Sequence, residues 1–132
     1  MVLGGHCLCG DVRWEARAPV WHQTLCHCSI CRRASGAPAV AWFTVAAAAF
    51  RFVGGQPARY QSSARATRTF CPRCGTALTF QAADLPDEID VTICSLADPE
   101  RVAPLDHTHA ASGLSWLRLD DGRPRFPEGR SG

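Results

Sequence analysis

The chain has 132 residues, 46% of them apolar, with eight Cys, five His and a formal net charge of +2. All fourteen basic residues are Arg, because the chain contains no Lys, and it contains no Asn either; lysine Schiff-base and P-loop chemistry and N-glycosylation are thereby excluded. Its charges are spread without the basic footprint of a nucleic-acid binder, and its longest apolar stretch, 37–50, is about fourteen residues where a membrane span needs roughly 20.

A single domain of this size buries roughly 65–70% of its unfolded surface, and the pattern along the chain predicts short strands punctuated by Gly, Pro and Asp. Residues 1–10 carry neither a basic nor an apolar leader region. The protein therefore reads as cytoplasmic, where thiols stay reduced and bind metal or react instead of pairing. Val12, Trp14 and Ala16 alternate with Arg13, Glu15 and Arg17, the period of a half-buried strand. The one good helix signal follows: Ser29 is placed to cap residues 30–34, and Gly36 to take the left-handed turn that ends them. Residues 40–45, β-branched and aromatic, predict a strand, and 50–53 another, with 46–49 between them open to a turn of helix. Further strands are predicted at 58–61, 67–70, 76–81, 89–94 and 114–119, each bounded by turn chemistry such as Cys71-Pro72 or Asp120-Asp121-Gly122. Residues 122–132, rich in Gly, Pro and Arg, are expected to trail away, which divides the chain into a domain over 1–126 and a tail over 127–132.

Seven of the eight cysteines fall into three clusters: Cys7-x-Cys9, Cys26-x-Cys28-x-x-Cys31 and Cys71-x-x-Cys74. Cys94 stands alone. The CPRCG run at 71–75 is a zinc-knuckle turn, in which Pro72 and Gly75 fold the chain back so that two sulfurs face one ion. A structural tetrahedral zinc needs four ligands, and Cys7 and Cys9 form the other clean pair. Cys7, Cys9, Cys71 and Cys74 are therefore expected around one zinc, which contributes on the order of 10 kcal/mol of apparent binding free energy.

Cys26, Cys28 and Cys31 then offer three thiolates and an open position, the arrangement of a catalytic zinc that admits water or a substrate atom. A second structural site closed by His27 or His107 also fits the spacing, as does a metal-free redox cluster. Cys28 and Cys31 fall at the start of the short helix, where backbone N–H groups favour thiolates. Arg32 and Arg33 come next, placed to offset the thiolate charge and to hold a substrate carboxylate through forked hydrogen bonds. Ser35 or backbone N–H groups are expected to steady a developing alkoxide. His27 and His107 are candidates for proton transfer or for buried structural roles, and Trp14, Trp42 and Trp116 read as core aromatics.

GGHCLCGDVRWEA at 4–16, CHCSICRRASGAP at 26–38 and FCPRCGTALTF at 70–80, in this order, resemble the glutathione-dependent formaldehyde-activating enzyme family, which includes the centromere protein V domain. DEIDVTICSLADP at 87–99 and PLDHTHAASGLSW through DGRPRFPEG at 104–129 extend the likeness over nearly the whole chain. The resemblance implies a mainly β fold of the Rab-exchange-factor-like type with one short helix. It also implies two zinc ions, a structural one on Cys7, Cys9, Cys71 and Cys74 and a catalytic one on Cys26, Cys28 and Cys31. The implied activity is that of a carbon–sulfur lyase, forming and cleaving S-(hydroxymethyl)glutathione from formaldehyde and glutathione or a similar small thiol. Two readings compete with it. One is a non-catalytic zinc-dependent binding module; the other is a thiol reductase with Cys94 as nucleophile, whose paired CxxC motifs this chain matches poorly. Neither nucleic acid nor a membrane is expected as a partner.

Overall fold

A computed structural model describes residues 1–130, and none of its helices is long and apolar enough to cross a membrane. The described residues are mainly β with one short α-helix. Its elements in order are β1 (Val2–His6), β2 (Arg13–Arg17), β3 (Trp21–Cys26), α1 (Ser29–Ser35), β4 (Val40–Ala46), β5 (Phe50–Gly54), β6 (Ala58–Ser63), β7 (Ala66–Phe70), β8 (Ala77–Ala82), β9 (Glu88–Thr92) and β10 (Asp106–Thr108). They form a three-stranded sheet ordered β1-β2-β5 and a seven-stranded sheet ordered β10-β3-β4-β9-β8-β7-β6. Every pairing is antiparallel except β10 on β3.

The alternation in β2 does what its period predicts: Trp14 and Ala16 are buried while Arg13 and Arg17 are exposed. Trp14 and Ala16 join Leu3 of the small sheet in one core with Phe43, Val45, Leu78 and Val91 of the large sheet. Trp14 sits at its centre, 1% exposed, with ring centroids 6.1 Å from Phe43 and 5.7 Å from Phe50. Its indole N–H donates to Ser95 Oγ at 3.1 Å, so the polar end of the ring is also satisfied. Gly5 is needed where Trp14 crosses β1, since a Cβ there would lie 2.3 Å from the indole and from the Ser95 carbonyl. That requirement explains a strand built from VLGGH, a sequence of poor β-propensity.

The helix begins one residue earlier than the sequence indicates. Cys28 is its N-cap, accepting the Cys31 N–H on Sγ at 3.3 Å, and Ser29 is the first helical residue. Gly36 ends it in the left-handed region at φ +69°, returning its N–H to the Arg32 carbonyl at 2.7 Å. Residues Ala47–Ala49 form a 3-10 turn, and β9 stops at Thr92, where Ile93–Ser95 turns and leaves Cys94 exposed.

Two expectations are corrected. Residues 114–119 are not a strand, and Trp116 is 69% exposed instead of lying in the core. The free edge of β10 is taken by later residues: His107 N–H donates to the Pro124 carbonyl and Phe126 N–H to the His107 carbonyl, each at 2.8 Å. Residues 124–130 thus dock on the fold where they were expected to trail away. Arg130 anchors them through a fork to Asp106 at 2.6 and 2.7 Å. Residues 131 and 132 lie outside the described residues.

Candidate metal centres and the adjoining cleft

Two hairpin turns of the same design bring the first four cysteines together. Cys7 directly follows β1 and Cys71 directly follows β7, and each turn closes when that cysteine's N–H donates at 3.0 Å to a carbonyl five residues on, Val12 or Thr76. The sulfurs of Cys7, Cys9, Cys71 and Cys74 all lie within 4.8 Å of one another. Cys7 Sγ to Cys9 Sγ is 3.6 Å and Cys9 Sγ to Cys71 Sγ is 3.8 Å. The edge of a sulfur tetrahedron around an ion at about 2.3 Å is about 3.8 Å, so the cluster has the size of a zinc site. Backbone N–H groups already point at the buried sulfurs, from Val12 to Cys7 at 3.3 Å and from Arg73 and Cys74 to Cys71 at 3.4 Å. The Thr76 hydroxyl, 3.3 Å from Cys74 Sγ, holds that thiol down at about 5, and it also accepts the Leu8 N–H of the other turn.

The second cluster is assembled from the end of β3 and the start of α1. Cys26 is the last residue of β3, Cys28 caps α1, Cys31 lies in its first turn, and their three sulfurs are within 4.8 Å of one another. Hydrogen bonds from the Cys26 and Cys31 thiols push the Cys28 thiol far below the ordinary range, and sharing those bonds pushes Cys26 far above it. Among the described residues no fourth Cys, His, Asp or Glu joins the three. The two histidines that could have closed the site are turned toward each other: His27 Nε2 lies 2.9 Å from His107 Nδ1, and His107 Nε2 lies 2.8 Å from Asp121 Oδ2. Burial, aided by the charges of His107, Arg125 and Arg32, holds the His27 ring below its usual range.

All three of these cysteines line a cleft of about 580 Å³, whose lining also includes Thr24, Trp42, Phe80 and Asp90 of the large sheet. The four-cysteine cluster does not line it. A model of the family described as "Glutathione-dependent formaldehyde-activating enzyme" matches residues 2–112. The chain belongs to this family. A solved structure of a Rhodobacter sphaeroides protein is similar to it, with a TM-score of 0.62, 24% identity, and coverage of 93% of this chain and 98% of that chain; the two share a fold. No curated protein gives a match.

The polar residues that this member of the formaldehyde-activating family presents to its cleft are not those singled out beside the cysteines. Arg32 donates through Nη1 to the carbonyls of His27 at 2.6 Å and Ser112 at 2.5 Å, which ties the cysteine loop to the C-terminal segment. Arg33 is exposed, and Ser35 donates to the Cys31 carbonyl at 2.8 Å while accepting the Ala37 N–H. None of the three lines the cleft; Arg68, Arg130, Ser29, His22 and His109 do. Both of these histidines occupy the left-handed backbone region, at φ 50° and 52°. Sequence reasoning passed over Arg68, although the alternation Ala66, Arg68, Phe70 in β7 places it on the same face of the strand as two apolar neighbours.

Asp90 has a measurable consequence. Burial pushes its carboxyl above the usual range, a 2.6 Å hydrogen bond donated by Thr44 opposes the shift, and the Glu88 charge adds to it while His22 counters it. The folded state therefore holds this proton more tightly than the unfolded chain, so the contribution to stability is present at low pH and lost as the pH rises through the folded pKa. Asp90→Asn keeps an acceptor for Thr44 and cannot ionise. It is expected to raise the melting temperature at pH 7, with the gap closing as the pH is lowered through the carboxyl range. A lower melting temperature at pH 7 would contradict this account.

Proposed function

We propose that the protein is a zinc-dependent carbon–sulfur lyase of the S-(hydroxymethyl)glutathione synthase type, acting on glutathione or a similar small thiol and on formaldehyde or a similar aldehyde. The observation that carries this reading is the contrast between the two clusters. Among the described residues the three-cysteine cluster has no fourth Cys, His, Asp or Glu and lines a cleft, while the four-cysteine cluster has Cys7 and Cys71 fully buried and does not line it. Three thiolates are soft donors suited to zinc, and the cleft volume falls in the range of small-molecule sites, far above what an aldehyde alone would need. Cys7, Cys9, Cys71 and Cys74 hold the structural ion and Cys26, Cys28 and Cys31 the reactive one.

Cys26, Cys28 and Cys31 would hold the ion, and the chemistry it would supply is a lowered thiol pKa for the substrate. In the reaction the substrate sulfur bonds to the carbonyl carbon, the C=O electron pair moves to oxygen, and the proton lost by the thiol ends on that oxygen. Trp42 and Phe80, edge to face at 6.4 Å, give the cleft a dry wall beside the cysteines. Ser29 lines the cleft and takes the hydroxyl role expected of Ser35. None of the eight cysteines is joined in a disulfide, which suits a reducing cytoplasm.

The test is metal quantification followed by titration with glutathione, with X-ray absorption at the zinc edge. Two zinc ions per chain and the gain of one sulfur ligand on adding glutathione are expected, together with faster formation of S-(hydroxymethyl)glutathione from formaldehyde. Two zinc ions that both keep four protein ligands, with no response to any small thiol, would sink the reading.

A further inference from the structure

We infer that Arg68 is the anion anchor of the cleft, and that the thiols selected there are those that carry a carboxylate able to reach it. This rests on the reading of the three-cysteine centre as a thiol site and adds to it the feature that chooses among thiols.

Arg68 projects from β7 beside Phe80, its direct cross-strand neighbour on β8, and its guanidinium carbon lies 4.9 Å from the centre of that ring. Stacking on an aromatic face holds the planar group in place while leaving its N–H edges available. Its Nη2 is 3.9 Å from Cys31 Sγ, the only polar contact of the side chain among the described residues. Nε is buried without an acceptor. A partly buried guanidinium normally has a carboxylate or several carbonyls around it, because an uncompensated charge away from water is costly.

The other arginine of the cleft shows the contrast. Arg130 is matched on two nitrogens by Asp106 at 2.6 and 2.7 Å and has little left to offer a ligand. Arg32 is spent on two carbonyls. Arg68 is thus the cleft arginine that meets no oxygen acceptor among the described residues, and a guanidinium binds a carboxylate with two parallel hydrogen bonds.

Position sets the second half of the inference. A ligand sulfur that joins Cys26, Cys28 and Cys31 packs against Cys31 Sγ, the same atom that Arg68 touches. A carboxylate on the guanidinium and a sulfur among the cysteines are therefore close enough to belong to one small residue. Glutathione, whose carboxylates lie farther from its sulfur, would satisfy both by folding back within the cleft of about 580 Å³.

The matched probes are 3-mercaptopropionate and 2-mercaptoethanol, similar in size and differing in the carboxylate, titrated calorimetrically into the zinc-loaded protein. The carboxylate thiol is expected to bind at least about tenfold more tightly, as a charge-assisted pair implies. Arg68→Gln should remove that preference, leaving 2-mercaptoethanol affinity and zinc content unchanged, and Arg68→Lys should restore only part of it because the fork is lost. Equal binding of the two thiols to the unaltered protein overturns the inference. So does an Arg68→Gln protein that loses zinc or binds both thiols equally less well, since either result assigns Arg68 to holding the thiolates. If Arg68→Gln does not fold, the comparison of the two thiols on the unaltered protein and on Arg68→Lys still decides. Failure of both thiols to bind would instead remove the thiol reading of the centre itself.

Discussion

Cys71→Ser is expected to leave the chain unfolded or insoluble. Cys71 Sγ is fully buried, accepts two backbone N–H groups at 3.4 Å, and lies 3.8 Å from Cys9 Sγ across the cluster. The four sulfurs tie the turn between β1 and β2 in the small sheet to the turn between β7 and β8 in the large one. A zinc ion held there would contribute on the order of 10 kcal/mol of apparent binding free energy at neutral pH, which matches the whole stability of a typical domain, about 5–15 kcal/mol. Losing one ligand therefore leaves little to hold the two sheets in register. Far-UV circular dichroism and zinc content of the soluble fraction check this, and a folded Cys71→Ser chain with an unchanged melting temperature would refute it.

Cys28→Ser should do the reverse: the fold stays and the chemistry goes. Serine is a favoured N-cap residue, so its hydroxyl can take over the Cys31 N–H that Cys28 Sγ accepts at 3.3 Å, and α1 persists. One of the three converging sulfurs is gone, however, and two thiolates hold an ion weakly. Zinc should fall from two ions per chain to one. Turnover should drop by more than about a hundredfold, since removing even an outer partner of a metal ligand costs 10–100-fold. Metal analysis, a thermal melt and a rate assay on the same sample give the three readouts. Loss of folding equal to that of Cys71→Ser would argue against one structural and one functional centre.

The arrangement around the second cluster also explains why the two buried histidines matter without being ligands. His27 lies between Cys26 and Cys28 in the chain, and its ring is held by His107, itself held by Asp121. Arg32 grips the His27 carbonyl and the Ser112 carbonyl together. The loop that presents the cysteines is thereby fastened to residues 107–121, so part of the site's rigidity comes from the chain beyond residue 112, where the family match ends.

Much of this was legible in the sequence. The three cysteine motifs, the helix stop at Gly36, the alternation around Trp14 and the strand at residues 40–45 are short-range features. Ligand spacing, dihedral preference and side-chain period all act within a few residues and survive as pattern. The pairing of Cys7 and Cys9 with Cys71 and Cys74 could be reached by counting ligands, and their sulfurs do converge.

Tertiary structure alone decided the rest. β1 exists because Gly5 makes room for Trp14, β10 because a parallel edge of β3 was free, and residues 124–130 dock because β10 offers its other edge. None of these partners lies nearby in sequence. The same holds for the cleft: Arg32 and Arg33 adjoin the cysteines along the chain, yet helix capping and loop closure turn them elsewhere, while sheet register carries Arg68 from β7 to Cys31. Sequence by itself determined which atoms can hold metal, because that is a property of residue type and spacing. Only the folded chain determined what faces the metal, because strand register and long-range pairing place side chains that no local signal connects.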